Sequence, residues 1–352
     1  MSKTINPEML VLARESRGIR QSELEKRLSV TQGKISKLES GLLQVTDDFL
    51  DTLADALHYP SEFFYQTDRV YGYGTTCIYH RKRQSLPSLE LRRLIASLNV
   101  RRIQISRLLR GAEIEAENRF HRMDAEDYSH DAPAIARLLR RSWGLPSGPI
   151  ENLTTAIEAA GGVVLRCSFG TNKIDAMSQW APCEPPLFFI NSEISADRCR
   201  YTLAHEIGHI VMHQIPSPDM EGEADRFAAE FLMPERDIAP YLKGITLPRL
   251  AVLKPYWKVS MAALLKRSSD LNKITVRQYK YLWTKMSKQG YRLHEPVSIS
   301  PEEPTVLNDI IDVHRTDHGY SVMDMAQLVS SYPDEFRATF LPAEPMKLRI
   351  VS

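Results

Sequence analysis

Cysteine is scarce in this chain. Cys77, Cys167, Cys183 and Cys199 are the four in 352 residues, and they stand far apart with no C-x-x-C pair. That spacing points away from a cysteine-built structural zinc site and from a disulfide framework, so a reducing cytoplasm is the expected location. Long apolar runs are missing as well. None approaches the roughly 20 residues of a membrane span, and the N-terminus lacks the apolar stretch of a signal peptide, so no membrane partner is expected. No repeat with a period of roughly 20–50 residues is visible. What remains is an ordinary globular composition, 43% hydrophobic and 25% charged, on a chain long enough for two or three domains. Its net charge of +1 hides an uneven distribution: Arg81 to Arg110 holds nine Arg or Lys and the single acid Glu90, whereas Asp219 to Asp237 is acidic.

The most informative stretch is His205-Glu206-Ile207-Gly208-His209. Two histidines four residues apart on a helix project from one face and can share one metal ion. The glutamate between them is then placed as a general base, which makes Glu206 the candidate catalytic residue. Apolar flanks, Tyr201 to Ala204 before and Ile210 to Met212 after, carry the helical pattern through the motif.

A catalytic zinc site usually takes three protein ligands, so a third is needed beside His205 and His209. Downstream, Glu221 and Asp225 are four apart and share a face if their segment is helical. That spacing suits a pair in which Glu221 binds zinc and Asp225 orients a ligand histidine from behind. Glu223 points elsewhere on such a helix and is the weaker ligand candidate. His213 repeats the four-residue spacing after His209 and has two readings: a group approaching the metal, or a helix-end histidine bonded to backbone.

Together, H-E-x-G-H-x-x-x-H over 205–213 and E-x-E-A-x-x-F-A-x-x-x-L-M-P over 221–234 resemble the ImmA/IrrE family of metallopeptidases, roughly over residues 150–265. The resemblance implies His205, His209 and Glu221 as zinc ligands, Glu206 as the catalytic glutamate and Asp225 as the carboxylate behind a ligand. It also implies a working association with a helix-turn-helix repressor, which such peptidases cleave or otherwise relieve.

Residues 6–66 read as five short helices. The second opens at Gln21-Ser22-Glu23-Leu24, Ser29-Val30 is a turn, and Thr31 is the N-cap of a third helix ending at Glu39. The fourth and fifth open at Thr46 and Pro60. Q-S-E-L and T-Q-G-K-I-S-K-L-E-S-G resemble the XRE, or lambda-repressor-like, helix-turn-helix family. The resemblance implies a third helix in the major groove of double-stranded DNA, offering Gln32, Lys34, Ser36 and Lys37 to bases or phosphates, while Gln21 and Ser22 meet the backbone. Two positions depart from the pattern: Glu25 stands where a small alanine is usual, and Ser29 where the turn glycine is usual.

Beyond Tyr71–Gly74, expected as a linker or short strand, a basic run from His80 leads into a long amphipathic helix with apolar positions from Leu91 to Leu109. Its arginines have three readings: phosphate binding, a solvated face, or the rim of a homodimer interface. Arg92, Arg93, Arg101 and Arg102 are expected to alternate between DNA and the acidic 219–237 segment. Further on come a helix over 150–160, strands at 163–166, 176–178 and 187–191, then helices again. A small sheet before the H-E-x-x-H helix is the zincin arrangement, whose edge strand pairs with an extended substrate. The segment 305–341 carries no chemistry and is read as a partner-binding or capping region.

The expected fold is multidomain α+β: an N-terminal all-α lambda-repressor-like helix-turn-helix (1–68), a basic helical linker (69–146), a central zincin-like α+β domain with a small sheet (147–300) and a helical C-terminal region (301–352). The expected function is a DNA-binding transcriptional regulator with a cis-fused zinc endopeptidase that cleaves a repressor, a partner protein or itself. The alternative is a non-catalytic repressor or antitoxin-type regulator whose zincin-like domain senses a ligand or grips a partner.

Overall fold

The computed structural model describes residues 4–71, 86–111, 116–215 and 217–341. The break expected at 71–74 and the basic run from His80 therefore fall largely outside the described residues. The chain divides into two compact units. Unit 1 takes its described residues from Met1–Gly72, Ser85–Ile114 and Val306–Ser352, and unit 2 from Tyr73–Gln84 and Glu115–Thr305.

Unit 1 opens with α1 (Pro7–Ser16), α2 (Gln21–Leu28), α3 (Gln32–Glu39) and α4 (Asp47–Leu57), followed by a 3-10 turn at Ser61–Tyr65 where a fifth helix was expected. Local chemistry sets these boundaries. The Asn6 side chain accepts from Glu8 N ahead of Pro7 in α1, and Thr31 Oγ1 accepts from Lys34 N at the start of α3. Ser29 closes α2 at φ 52°, so the left-handed turn that usually falls to glycine is made here by serine. Glu25 stays half-buried while α2 and α3 still pack together. Leu10, Ala13, Leu24, Ile35, Leu53, Phe63 and Phe64 form the core.

The long helix α5 (Ser88–Leu109) completes that core with Ala96, Val100 and Ile103. It is buried on most of its circumference, which differs from the amphipathic, linker-borne helix read from sequence. Arg102 is buried, its guanidinium bonded to the Arg69 carbonyl and 4.8 Å from the Tyr71 ring. An arginine so placed holds α5 to the chain entering from the helix-turn-helix and is withdrawn from any exchange with DNA. Arg92 and Arg93 are exposed and Arg101 is half-buried.

Unit 2 contains α6 (Ala132–Ser142), α7 (Leu153–Ala159), β1 (Val163–Cys167), β2 (Ala176–Gln179), β3 (Leu187–Asn191), α8 (Ala196–Met212), α9 (Met220–Leu232), α10 (Glu235–Ile238), α11 (Leu247–Trp257), α12 (Met261–Asp270) and α13 (Val276–Lys288). The sheet order is β1-β3-β2, with β1 parallel and β2 antiparallel to β3. Helix α8 runs through the middle, packed by the sheet, α6, α7 and α9. Phe188 and Ile190 of β3 and Phe227 and Phe231 of α9 join one apolar core with Leu203, Ile207 and Val211 of α8.

Gly208 sets the α8–α9 approach. A Cβ there would lie 3.1 Å from the Phe227 ring and 3.3 Å from Ala224 Cα, so a side chain would require Phe227 and the α9 backbone to give by a few tenths of an ångström. The end of unit 2 is strapped down by Glu302, whose Oε2 accepts from Leu153 N (2.9 Å) and Thr154 N (3.0 Å) at the start of α7 while its other oxygen meets Arg200 of α8.

The chain then returns to unit 1 as α14 (Val306–Thr316), α15 (Val322–Leu328) and α16 (Pro333–Phe340). Helices α14 and α15 pack on α5. His314 Nε2 lies 2.8 Å from the Leu108 carbonyl near the end of α5, and Arg17 of the helix-turn-helix pairs with Glu335 at 2.7 Å. Residues 88–109, expected in a linker, and 306–340, expected as a separate C-terminal region, thus belong to the compact unit of the helix-turn-helix. No described helix is long and apolar enough to cross a membrane.

Candidate metal centre and nucleic-acid interface

Helix α8 presents His205 and His209 one turn apart with Nε2 atoms 3.0 Å from each other. Glu221, in the first turn of α9, faces both: Oε2 is 3.5 Å from His205 Nε2 and Oε1 is 3.4 Å from His209 Nε2. Among the described residues this is the group whose donor atoms converge as a metal site requires. Donors held about 2.1 Å from a tetrahedral zinc ion would stand roughly 3.4 Å apart, so the residues present fit such an ion.

The electrostatics agree. Burial works against charge on His205, yet hydrogen bonds with Asp225 and Glu221 outweigh it and raise its pKa to about 9. Burial alone would push Glu221 up, but His205 and His209 hold it well below the usual carboxylate range. His209 has its pKa lowered to about 4, mainly by burial and also by the charge on His205. The pocket thus favours one positive charge between an acid and a neutral imidazole.

Glu206, one residue along α8, is buried at 2% exposure, and the Ser178 hydroxyl of β2 donates to its Oε2. Burial, with Glu221 adding to it, raises the Glu206 pKa to about 7, against the pull of His205 and Ser178. A carboxyl poised there exchanges protons near neutral pH. Asp225 reaches His205 Nδ1 at 3.0 Å from the second turn of α9. Its i, i+4 relation to Glu221 puts both acids on the face of α9 turned to His205.

His213 takes neither role expected from its spacing. Its imidazole Nδ1 lies 3.0 Å from His209 Nδ1, and its Nε2 lies 2.8 Å from Glu223 Oε2. Burial lowers its pKa. Glu223 does point away from the three converging donors, toward His213 and, at 2.6 Å, toward His130 Nδ1. Sequence reading missed Ser178 and His130, which lie 28 and 93 residues from the side chains they touch.

A cleft of about 770 Å³ opens beside His205 and Asp225, with Arg198, Tyr201, Thr202 and Trp283 in its walls. A second cavity, of about 820 Å³ and lined by Trp143, Ile150, Lys258 and Glu302 among others, includes none of the converging donors.

In unit 1, Gln32, Ser36 and Lys37 lie on one exposed face of α3, and Ser22 is exposed on α2. Lys34 is half-buried, with Nζ 4.2 Å from the centre of the Phe49 ring. Gln21 donates through Nε2 to Glu39 Oε2 at 2.7 Å, and Glu39 also holds Arg14. The structure therefore groups Gln32, Ser36 and Lys37, while Gln21 and Lys34 are partly engaged within the fold.

Residues 157–269 match the family model of the IrrE N-terminal-like domain, a peptidase family, and residues 10–64 match that of the helix-turn-helix. Comparison with curated proteins finds no match. The first match contains both α8 and α9, and the second contains α2 and α3. The chain is accordingly a fusion of an XRE-type helix-turn-helix DNA-binding domain with an IrrE/ImmA-like, protease-like domain, the composition of a DNA-binding regulator.

Proposed function

We propose that this regulator is a zinc-dependent endopeptidase fused in cis to its DNA reader, acting on a repressor, another partner protein or itself. The convergence of His205, His209 and Glu221 donors within 3.0–3.5 Å beside the buried Glu206 carries the reading. His205, His209 and Glu221 would hold zinc, which would supply Lewis acidity toward a scissile carbonyl. Glu206 takes a proton from the attacking water and delivers it to the leaving amine, a task suited to a carboxyl with a pKa of about 7. Ser178 keeps that carboxylate aimed, and Asp225 keeps His205 aimed. The substrate lies extended along β2, an edge strand, with side chains in the cleft that reaches His205.

On the DNA side, α3 enters the major groove with Gln32, Ser36 and Lys37 toward bases or phosphates, and Lys34 follows when it leaves Phe49. Gln21 and Ser22 meet backbone phosphate. A homodimer would read symmetric half-sites about one helical turn apart.

The test is incubation of the zinc-loaded full chain with itself and with the proteins encoded beside it, in parallel with Glu206→Gln. Cleavage by the unaltered chain and none by the variant supports the reading. Tight binding of a neighbouring protein that both forms leave intact would instead favour a sensor or partner-gripping domain.

A further inference from the structure

His205 and His209 are supported differently from behind. Behind His205 stands the Asp225 carboxylate, whose side chain is 63% exposed. Behind His209 stands His213, and behind His213 stands Glu223, with side chains only 1% and 3% exposed. The distances along this line are 3.0 Å, 2.8 Å and then 2.6 Å from Glu223 to His130, which is half-exposed. Buried imidazoles in series have few ways to satisfy every ring nitrogen. For His209 to offer a bare Nε2 to a metal ion shared with Glu221, its Nδ1 carries the hydrogen and donates to His213 Nδ1. His213 must then carry its hydrogen on Nε2, where Glu223 Oε2 accepts it. The carboxylate thus fixes one tautomer of His213, and His213 in turn fixes that of His209.

We propose that His213 and Glu223 are positioning residues for His209, an imidazole–carboxylate relay that holds Nε2 bare and aimed at a metal ion. The proposal rests on the zinc reading of His205, His209 and Glu221. It assigns work to the third histidine of the 205–213 motif and to the second glutamate of the 221–234 motif. The relay joins the C-terminal end of α8 to the first turn of α9, so one cluster sets both the interhelical seam and the ligand. Ser217 Oγ, 3.3 Å from Glu223 Oε2, supplies a further donor on the carboxylate.

The probe is zinc itself, measured by competition with a chromogenic chelator on the full chain, with thermal unfolding of the metal-free form alongside. His213→Phe keeps the volume and removes the acceptor, and is expected to weaken zinc about 10–100-fold; Glu223→Gln should cost about 10-fold. His213→Gln can accept from His209 through its amide oxygen and donate to Glu223 through its amide nitrogen, so it should restore affinity to within about threefold. Loss in His213→Phe with rescue in His213→Gln, at comparable metal-free unfolding temperatures, separates positioning from a merely structural role. Nitrogen-15 spectra of the unaltered zinc-loaded protein should also show His209 with its hydrogen on Nδ1 and His213 with its hydrogen on Nε2. Equal zinc affinity in His213→Phe and the unaltered chain, or the opposite tautomers, would overturn the relay. An unaltered chain that takes up no zinc, or a His209→Ala chain that takes up as much, overturns the zinc reading and the relay with it.

Discussion

The surroundings of His205 favour its protonated form. Asp225 and Glu221 favour that proton against burial up to a pH of about 9, so a zinc ion would have to displace it. Zinc uptake should therefore release about one proton per ion at neutral pH, and affinity should climb as pH rises from 6 toward 9. Titration calorimetry in buffers of different ionisation enthalpy reads the proton directly; an affinity flat across that range would contradict the charge pattern. Glu206→Gln should leave zinc uptake intact and lower any proteolysis by at least about 10²-fold, since an amide cannot take the proton. Two pairs were legible from four-residue helical spacing, His205 with His209 around Glu206 on α8 and Glu221 with Asp225 on α9. Ser178, His130 and the inward turn of Glu223 were not, because their partners meet only after the sheet, α8 and α9 have packed.

Among the elements, α11 is pinned to the start of α8 by charge. Lys254 Nζ lies 2.9 Å from Asp197 and 2.7 Å from Glu295, with all three side chains nearly sealed. Burial opposes charge on Asp197 and on Lys254, but the Lys254 bonds hold Asp197 below the usual carboxylate range and the two acids raise Lys254. A depressed acid stabilises above its unfolded pKa of about 3.9 and ceases to as pH falls through the folded value. A raised lysine stabilises below about 10.4 and ceases to as pH climbs through its own folded value. Lys254→Met should cost about 3–5 kcal/mol at neutral pH by stranding two buried carboxylates. In urea titrations that deficit should shrink as pH falls below about 3.9 and through the lower folded value of Asp197, where the unaltered chain loses the Asp197 charge that Lys254 holds; a deficit constant with pH would refute the assignment.

Helix α3 carries its own contrast. Lys37→Ala should weaken all DNA sequences alike and reduce the salt slope by about 1, while Gln32→Ala should cost about 1–3 kcal/mol at preferred sequences only. Fluorescence anisotropy on the promoter region and on scrambled duplexes separates the two; parallel losses for both variants would argue against base reading by Gln32. The α2–α3 pair was legible from capping and apolar spacing. Helix α5 was not, because a helix buried on most sides loses the one-sided pattern that marks a surface helix, and Arg102 looks polar until Arg69 and Tyr71 are beside it.

Across the whole molecule, the two family matches and the small sheet fall where the sequence placed them, and the compact units join segments that lie far apart in the sequence. Composition shifts and proline runs mark where the chain changes character, but they carry no information about which distant segments share a core. Leu307, Ile310 and Ile311 of α14 and Met325 of α15 were visible as an apolar pattern, and only their burial in unit 1 gives it a destination. Ending the chain at Thr305 should uncover the face of α5 that α14 and α15 occupy. Such a chain is expected to bind a hydrophobic dye and to lose DNA affinity, while zinc uptake by unit 2 persists. A truncated chain that reads DNA as well as the full one would show that the C-terminal helices are dispensable to unit 1.

The strap at Glu302 and the return of α14 to α5 also set an order of events during synthesis. The helix-turn-helix leaves the ribosome first, yet the helices that close its unit emerge only after all of unit 2. At about 5–20 residues per second, some 200 intervening residues amount to roughly 10–40 s in which α5 is exposed. A nascent chain is therefore a reader without its clasp, and if the chain ended at Thr305 does lose DNA affinity, that affinity arrives only after unit 2 has been synthesised rather than ahead of it.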